Sequence, residues 1–452
     1  MPASQDISVT VDVTRQLARH IAETRYEHLS TEALAAARRG ILDWLGCALA
    51  ASRHPTMDIL VAVLEESNPL PQATLLGRQS RLGMMEAALA NGQMGHLLDY
   101  DDTHMGGVVL HTSSPTLAAQ FALADTRTIS GADFMLAYAM GFEAGVRIGH
   151  SSPGHHKSGW HLTGTLGTMA ATASVAKLLG LNEQQTIHAF GIGATQAAGM
   201  QQNRGTMSKS FHAGKAAANG LLAAKLAQKG FDSSEEIIEG KRGFCRVFSD
   251  VATPEATLVG LGEHWEIARN GHKPYACGVV LHPAIDALIA IRGAAGFDLA
   301  QVSEVALRVH PLVLAITGLL APETGLKSKF SIYHCAAIAL LDGAAGTAQY
   351  SNARATAAEV IALRGKVTVV ADESLRNDEA YASVVANGKR YEQHIAHASG
   401  TIANPMSDAQ IRAKFMHNAE PVIGRERAER VCDMTAALEQ QADMRALLAL
   451  CA

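Results

Sequence analysis

Paired cysteines, nucleotide-binding glycine signatures and any excess of positive charge are missing from this 452-residue chain. The six cysteines, Cys47, Cys245, Cys277, Cys335, Cys432 and Cys451, form no C-x-x-C pair. Zinc-ribbon and thioredoxin-like chemistry therefore have no anchor, and dispersed single thiols fit a reducing compartment. No G-x-G-x-x-G follows a strand and no G-x-x-x-x-G-K-[ST] occurs, which removes Rossmann and P-loop readings. G-x-S-x-G and H-E-x-x-H are absent too. A net charge of -5 leaves no basic footprint for nucleic acid. Long hydrophobic runs are lacking: the most apolar early helix is interrupted by Arg38, Arg39 and Asp43, so no membrane span is expected. The opening MPASQDISVT has no charged-then-apolar leader. The expectation is a cytoplasmic protein. Aromatics make up only 5% of the chain, and abundant alanine in their place favours closely packed helices.

Histidine, by contrast, is plentiful, at 20 residues. The densest stretch is 91–115, NGQMGHLLDYDDTHMGGVVLHTSSP, which holds His96, Asp99, Asp101, Asp102, Thr103, His104 and His111. His96, Asp99 and Thr103 stand at i, i+3 and i+7, which puts all three on one helical face if the helix continues. Asp101 and Asp102 then point elsewhere, to cap or turn the chain. This cluster could hold a metal, move protons or end a helix.

The length predicts two or three domains. Residues 12–51 read as two helices, the second capped at Ser30–Thr31 with a stripe of Leu34, Ala37, Ile41, Leu45 and Ala48. Helical patterns recur at 117–124, 134–148, 163–180 and up to Gly230. His161 precedes one of these helices; Lys209 and His212 open another behind a loop carrying Arg204 and Gly205. Exposed N–H groups at such helix starts favour anions, although a histidine there can simply cap and a lysine can simply be solvated. From about residue 265 the pattern changes. VSEVALRVHPLV and GKVTVVADES alternate like strands, and YASVVANGKRYEQHI is a hairpin turning on Asn387–Gly388. Ser407 with Gln410 then makes a capping box that restarts a helix. The fold class expected is mainly α. A large helical domain is built from 1–268 and 403–452, with an α+β domain, 269–402, inserted between.

An aspartate-rich magnesium motif needs a second such motif, and none is present. The lone Cys245 and Cys277 could be nucleophiles but are more often buried spacers. What remains is cofactor-free proton chemistry from separated segments: Asp99, His111, His161, Lys209, Lys273 and Tyr333. Cationic side chains can bind carboxylates and stabilise an enolate-like intermediate, while histidine exchanges a proton at the adjacent carbon. A non-catalytic binding protein and a metal-dependent hydrolase are the alternatives. They predict activity indifferent to these side chains, or activity lost to a chelator.

NGQMGHLLDYDDTH with HTSSP, GWHLTGTLG, GTMSKSFHAGKAAANGLLAAKLAQKGF, EGKRGF, HKPYACGVVLHPAID, KFSIYHCAAIALLDG and NPMSDAQIRAKF together resemble the MmgE/PrpD family, nearly end to end. That family includes 2-methylcitrate dehydratases, cis-aconitate decarboxylases and iminodisuccinate epimerase. The resemblance implies a homodimer, a lid over the site, a small di- or tricarboxylate substrate, and no metal or organic cofactor. By motif it carries functional positions onto Asp99, Thr103, His111, His161, Lys209, Lys273 and Tyr333. His111 and His161 are the proton donor and acceptor candidates. Lys209 and Lys273 bind carboxylates, Asp99 orients, and Tyr333 donates from the lid. Arg204, His156, His212 and Cys277, with Thr103, are further substrate-binding candidates. The loop from Thr103 to His111 is longer than in the decarboxylase. His156 stands where the epimerase pattern has tyrosine, which weakens that assignment. A lyase is expected first and an epimerase second.

Overall fold

The computed structural model describes residues 12–452, so the reading of the N-terminal MPASQDISVT lies outside the described residues. The fold is mainly α, as expected. Its centre is a bundle of four small-residue helices: Met84–Leu97, Ser113–Ala124, Leu162–Leu178 and Met207–Gln228. Glycine sets how closely they approach. A Cβ on Gly92 would come within 2.8 Å of Gly214 Cα, and one on Gly214 would overlap the Leu89 carbonyl. The helices carrying His96 and Lys209 therefore cross backbone against backbone. Gly214→Val is expected to destabilise the fold by at least about 1–3 kcal/mol, because the overlap is with main chain that cannot rotate away. Urea denaturation checks this, and an unchanged midpoint would contradict it.

The local signals act where expected. Ser30 accepts from the Ala33 amide, and Ser407 and Gln410 close a reciprocal box at the start of Asp408–Ile423. That last helix packs on Thr31–Ala51. There the Lys414 ammonium lies 2.7 Å from an Asp43 oxygen and donates to the Tyr100 carbonyl at 2.7 Å. The C-terminal segment is thus pinned beside the 91–115 stretch. Helices Pro55–Glu65, Glu183–Ala194 and Ala358–Arg364 lie where no helical pattern is read. The HPLV end of the first expected strand is helical instead, since Pro311 opens Pro311–Thr317 behind the His310 cap.

Strands Val302–Val309, Val367–Ala371, Ala380–Ala386 and Lys389–Ile395 form one sheet in the order 367, 302, 380, 389. The first two strands pair parallel and the others antiparallel. Asn387 and Gly388, with φ of 51° and 72°, turn the hairpin. A register shift between Val302 and Glu304 lets both Val302 and Val305 face inward, which breaks simple alternation. The inner face packs on helices His282–Arg292 and Ile332–Asp342. Among the described residues no single helix is long and apolar enough to cross a membrane.

Candidate functional site

The helix expected to run through Thr103 ends at Leu97. Asp99 takes φ +50°, a left-handed conformation that aspartate tolerates better than most residues, and it turns the chain out of the helix. Thr103–His104 then forms a two-residue antiparallel ladder with Asn270–Gly271. The shared helical face is therefore corrected: His96, Asp99 and Thr103 meet around a broken helix end. The ladder has a further consequence, since it sets Lys273, two residues beyond Gly271, against Asp99.

Asp99 is buried and bridges two cations. Its Oδ1 accepts from Lys273 Nζ at 2.8 Å and from Lys209 Nζ at 3.1 Å, and its carbonyl accepts from Lys273 at 2.9 Å. Burial alone would raise its pKa. The Lys209 and Lys273 ammoniums outweigh burial and hold the carboxyl well below its ordinary range. The other oxygen, Oδ2, is buried without a partner.

Beside this charge cluster runs a row of imidazoles. Ring centroids of His111 and His96 are 4.7 Å apart, those of His96 and His161 5.4 Å, and those of His161 and His212 5.2 Å. His96 Nδ1 donates to Asp101 Oδ2 at 2.8 Å, and Ser114 donates to the same oxygen at 2.8 Å. His111 Nδ1 donates to the Asp102 carbonyl at 2.8 Å, with Thr103 Oγ1 at 3.1 Å. With Nδ1 committed in both, each neutral ring keeps its Nε2 lone pair. His161 occupies the N-cap position of Leu162–Leu178 but makes no side-chain cap bond. Its Nδ1 lies 2.9 Å from His212 Nδ1 instead, so simple helix capping is ruled out. Burial holds His161 well below the ordinary imidazole value and His111 down at about 3. These rings are therefore neutral at pH 7.

The remaining candidates fall further out. Arg204 is half-buried and donates to Gln201 Oε1 at 2.5 Å; burial lowers its pKa, and the Asp99 charge opposes that shift. His156 is half-buried on a different loop, between Gly131–His150 and Leu162–Leu178, where its carbonyl accepts from Gln201 Nε2 at 2.6 Å. Tyr333 is half-buried at the start of Ile332–Asp342, with no side-chain hydrogen bond among the described residues. Cys277 is buried beside Cys335 and Tyr350, in a thiol–phenol cluster. Of the predicted site residues, Asp99 and Lys209 line the cleft at this cluster; Thr103, His111, His161, Lys273, Arg204, His212, His156, Tyr333 and Cys277 do not. Asp102 is anchored by Ser113 and Asn270, which agrees with a structural part. Asp101 is different: it fixes the tautomer of His96 and so belongs to the site. His96, Asp101 and Lys329 were the residues passed over. The His96–Asp101 pair has a spacing that carries no signal until the helix end is known.

His96, Asp101 and His111 each offer an atom, all within 4.8 Å of one another, that could ligate a cation. The fit is poor. Asp101 Oδ2 is taken by His96 and Ser114, both Nδ1 atoms are committed, and two ammoniums stand alongside.

The same burial has a cost in acid. His20, His212, His272 and His334 are held down at about 4, and His111 and His155 at about 3. Unfolded, each takes up its proton near pH 6.5, so the fold loses stability as pH falls below that value. Burial raises Asp102 and Glu143 to about 7, which works in the opposite direction. Six imidazoles against two carboxyls decide the sign. Melting temperature should fall as pH drops from about 6.5 to 4.5. A rise over that range, followed by scanning calorimetry, would contradict the assignment.

The model of the MmgE/PrpD N-terminal domain matches residues 15–257, and that of the MmgE/PrpD C-terminal domain matches 275–440. The chain belongs to the MmgE/PrpD family. Similar proteins of the family include the cis-aconitate decarboxylase-like protein oryM of Aspergillus oryzae, 28% identical over 97% of both chains. The cis-aconitate decarboxylase of Aspergillus terreus is 27% identical over 99% of this chain and 97% of its own. The 2-methylcitrate dehydratase of Cupriavidus necator is 26% identical over 78% of this chain and 77% of its own. Both family domains supply the cleft: His96, Asp99, Lys209 and Ser210 line it from the N-terminal match, and Leu326, Lys329 and Phe330 from the C-terminal one. In this MmgE/PrpD chain the cleft holds only about 10 Å³ of free space, room for roughly one water.

Proposed function

We propose that this chain is a cofactor-independent lyase, a decarboxylase or dehydratase, acting on a small tricarboxylate. The observation that carries the reading is the contact of two chemistries: Asp99 gripped by Lys209 and Lys273, and neutral imidazoles aligned alongside. The names of the relatives support the same class.

Both fates pass through one species, a carbanion delocalised into a carboxylate. In dehydration a neutral imidazole, His161 or His111, removes the proton beside the carboxylate, and hydroxide leaves the neighbouring carbon with a proton. In decarboxylation the C–C electron pair stays on the substrate as CO2 departs, and a proton is delivered to that carbon. Lys209 is suited to that delivery, since burial lowers its pKa. In either case Lys209 and Lys273 hold the developing negative charge in a site of low dielectric. Asp99 keeps both ammoniums charged and aimed before substrate arrives.

The segment 269–402 acts as a lid in this reading. Leu326 and Phe330 must withdraw to admit a tricarboxylate, since the free space is too small. A homodimer in the cytoplasm is our expectation for its assembly and location. Epimerisation of an amino- or imino-dicarboxylate would use the same carbanion. It has less support, because His156 stands where the epimerase pattern has tyrosine.

Incubating the protein with cis-aconitate and with 2-methylcitrate, with and without EDTA, tests the proposal by NMR. CO2 release from the first or water loss from the second, indifferent to chelator, is expected. Turnover of neither acid would overturn it, and loss of turnover in EDTA would favour a metal-dependent enzyme.

A further inference from the structure

Lys329 is unlike the other lysines of the cleft. It is 3 % exposed, yet among the described residues it forms no ion pair. Its Nζ donates to two main-chain carbonyls, Leu98 and Ala276, each at 2.7 Å, and lies 4.5 Å from the centre of the Tyr350 ring. A neutral lysine would satisfy those carbonyls less well, so the two oxygens and the ring favour the charged form, but none of them neutralises it. A buried charge without a counter-ion is costly, and chains retain one where a ligand completes it.

Its position says where such a ligand would lie. Lys329 lines the cleft over Asp99, and it also lines a second cavity of about 670 Å³, bounded by His54, Met207, Lys327 and Tyr350. Gly205, Thr206 and Leu326 are shared by the two walls as well. Lys329 therefore stands at the junction, hydrogen-bonded to the carbonyl of Leu98, the residue before the Asp99 turn. Lys209 and Lys273 are spoken for by Asp99 and by the reacting carboxylate, which leaves this ammonium for another.

We infer that Lys329 is the counter-cation for a non-reacting substrate carboxylate directed from the cleft toward the larger cavity, and that it selects tricarboxylates over dicarboxylates. The inference rests on the proposed function and deepens it, because it assigns the arm of the substrate that the proton chemistry leaves unassigned. Burial lowers the Lys329 pKa to about 8, with Asp99, Cys277 and Cys335 opposing and Lys273 reinforcing that shift. An arriving carboxylate would raise it again. Binding of a third carboxylate should then draw a proton onto Lys329 at pH 8. Besides these groups, His54 and Lys327 line the larger cavity and Tyr350 faces Lys329.

The test is calorimetric titration of propane-1,2,3-tricarboxylate and of succinate. Wild-type protein should bind the tricarboxylate about tenfold or more tighter, the increment of one charge-assisted contact. Lys329→Met should bring the two affinities to within about threefold while leaving succinate binding unchanged, and Lys329→Arg should keep most of the difference. Retention of the full preference in Lys329→Met would overturn the assignment. If the methionine variant shows no cooperative melting, wild-type protein decides alone. Titration at pH 8 in two buffers of different ionisation enthalpy should show proton uptake with the tricarboxylate and none with succinate. Equal uptake for both acids, or none for either, would overturn it. Binding of neither acid by wild-type protein would be the distinct failure of the lyase proposal itself.

Discussion

Asp99→Ala is expected to cost the fold about 3–5 kcal/mol, the penalty for stripping a buried cation of its partner. Lys273 is 1 % exposed and loses the one carboxylate it pairs with among the described residues, while Lys209 loses the same one. Removing both signs should be milder: in Asp99→Ala with Lys273→Met the loss should fall well short of the sum of the single changes. Urea denaturation of the four proteins closes this cycle. Additive losses would mean that the two groups are stabilised independently and that Asp99 is not their organising charge. Activity should disappear in Asp99→Ala even where the protein remains folded, because the ammoniums no longer point together.

His161→Ala is expected to reduce turnover about 10²–10⁴-fold, the range for removing a general base or acid. Its effect on stability should be small, since the ring makes one side-chain bond, to His212, and caps nothing. Steady-state kinetics on whichever tricarboxylate is turned over, with melting curves alongside, separate the two effects. A loss below about tenfold would move the proton step to His111 or His96, whose Nε2 atoms stand in the same row.

Local signals were legible in the sequence and long-range ones were not. The Ser30 cap, the Ser407–Gln410 box and the Asn387–Gly388 turn are decided within a few residues, and each is present. The parallel pairing of Val302–Val309 with Val367–Ala371 depends on a crossover that no local pattern encodes. At the site, motif resemblance supplied Asp99, His111, His161, Lys209 and Lys273, and the structure brings these five side chains together. Periodicity misplaced their common frame, because helix spacing was extended through Asp99, where the backbone turns left-handed. Asp101 reads as a turn residue until the helix is known to stop at Leu97; only then does its carboxylate fall on His96. Lys329 opens the KFSIYHC motif, but nothing local in the sequence marks it as part of the site. Its character comes from burial between Leu98 and Ala276, which are 231 and 53 residues away along the chain.

The central claim is that this fold exchanges a proton at the carbon beside a carboxylate, with its own imidazoles and ammoniums. NMR of the reaction run in D2O reads that step directly. The account predicts deuterium at that carbon in substrate or product with wild-type protein, and none with folded Lys209→Met. Decarboxylation product formed without deuterium at that carbon, or neither decarboxylation, dehydration nor exchange with any di- or tricarboxylate offered, would contradict it.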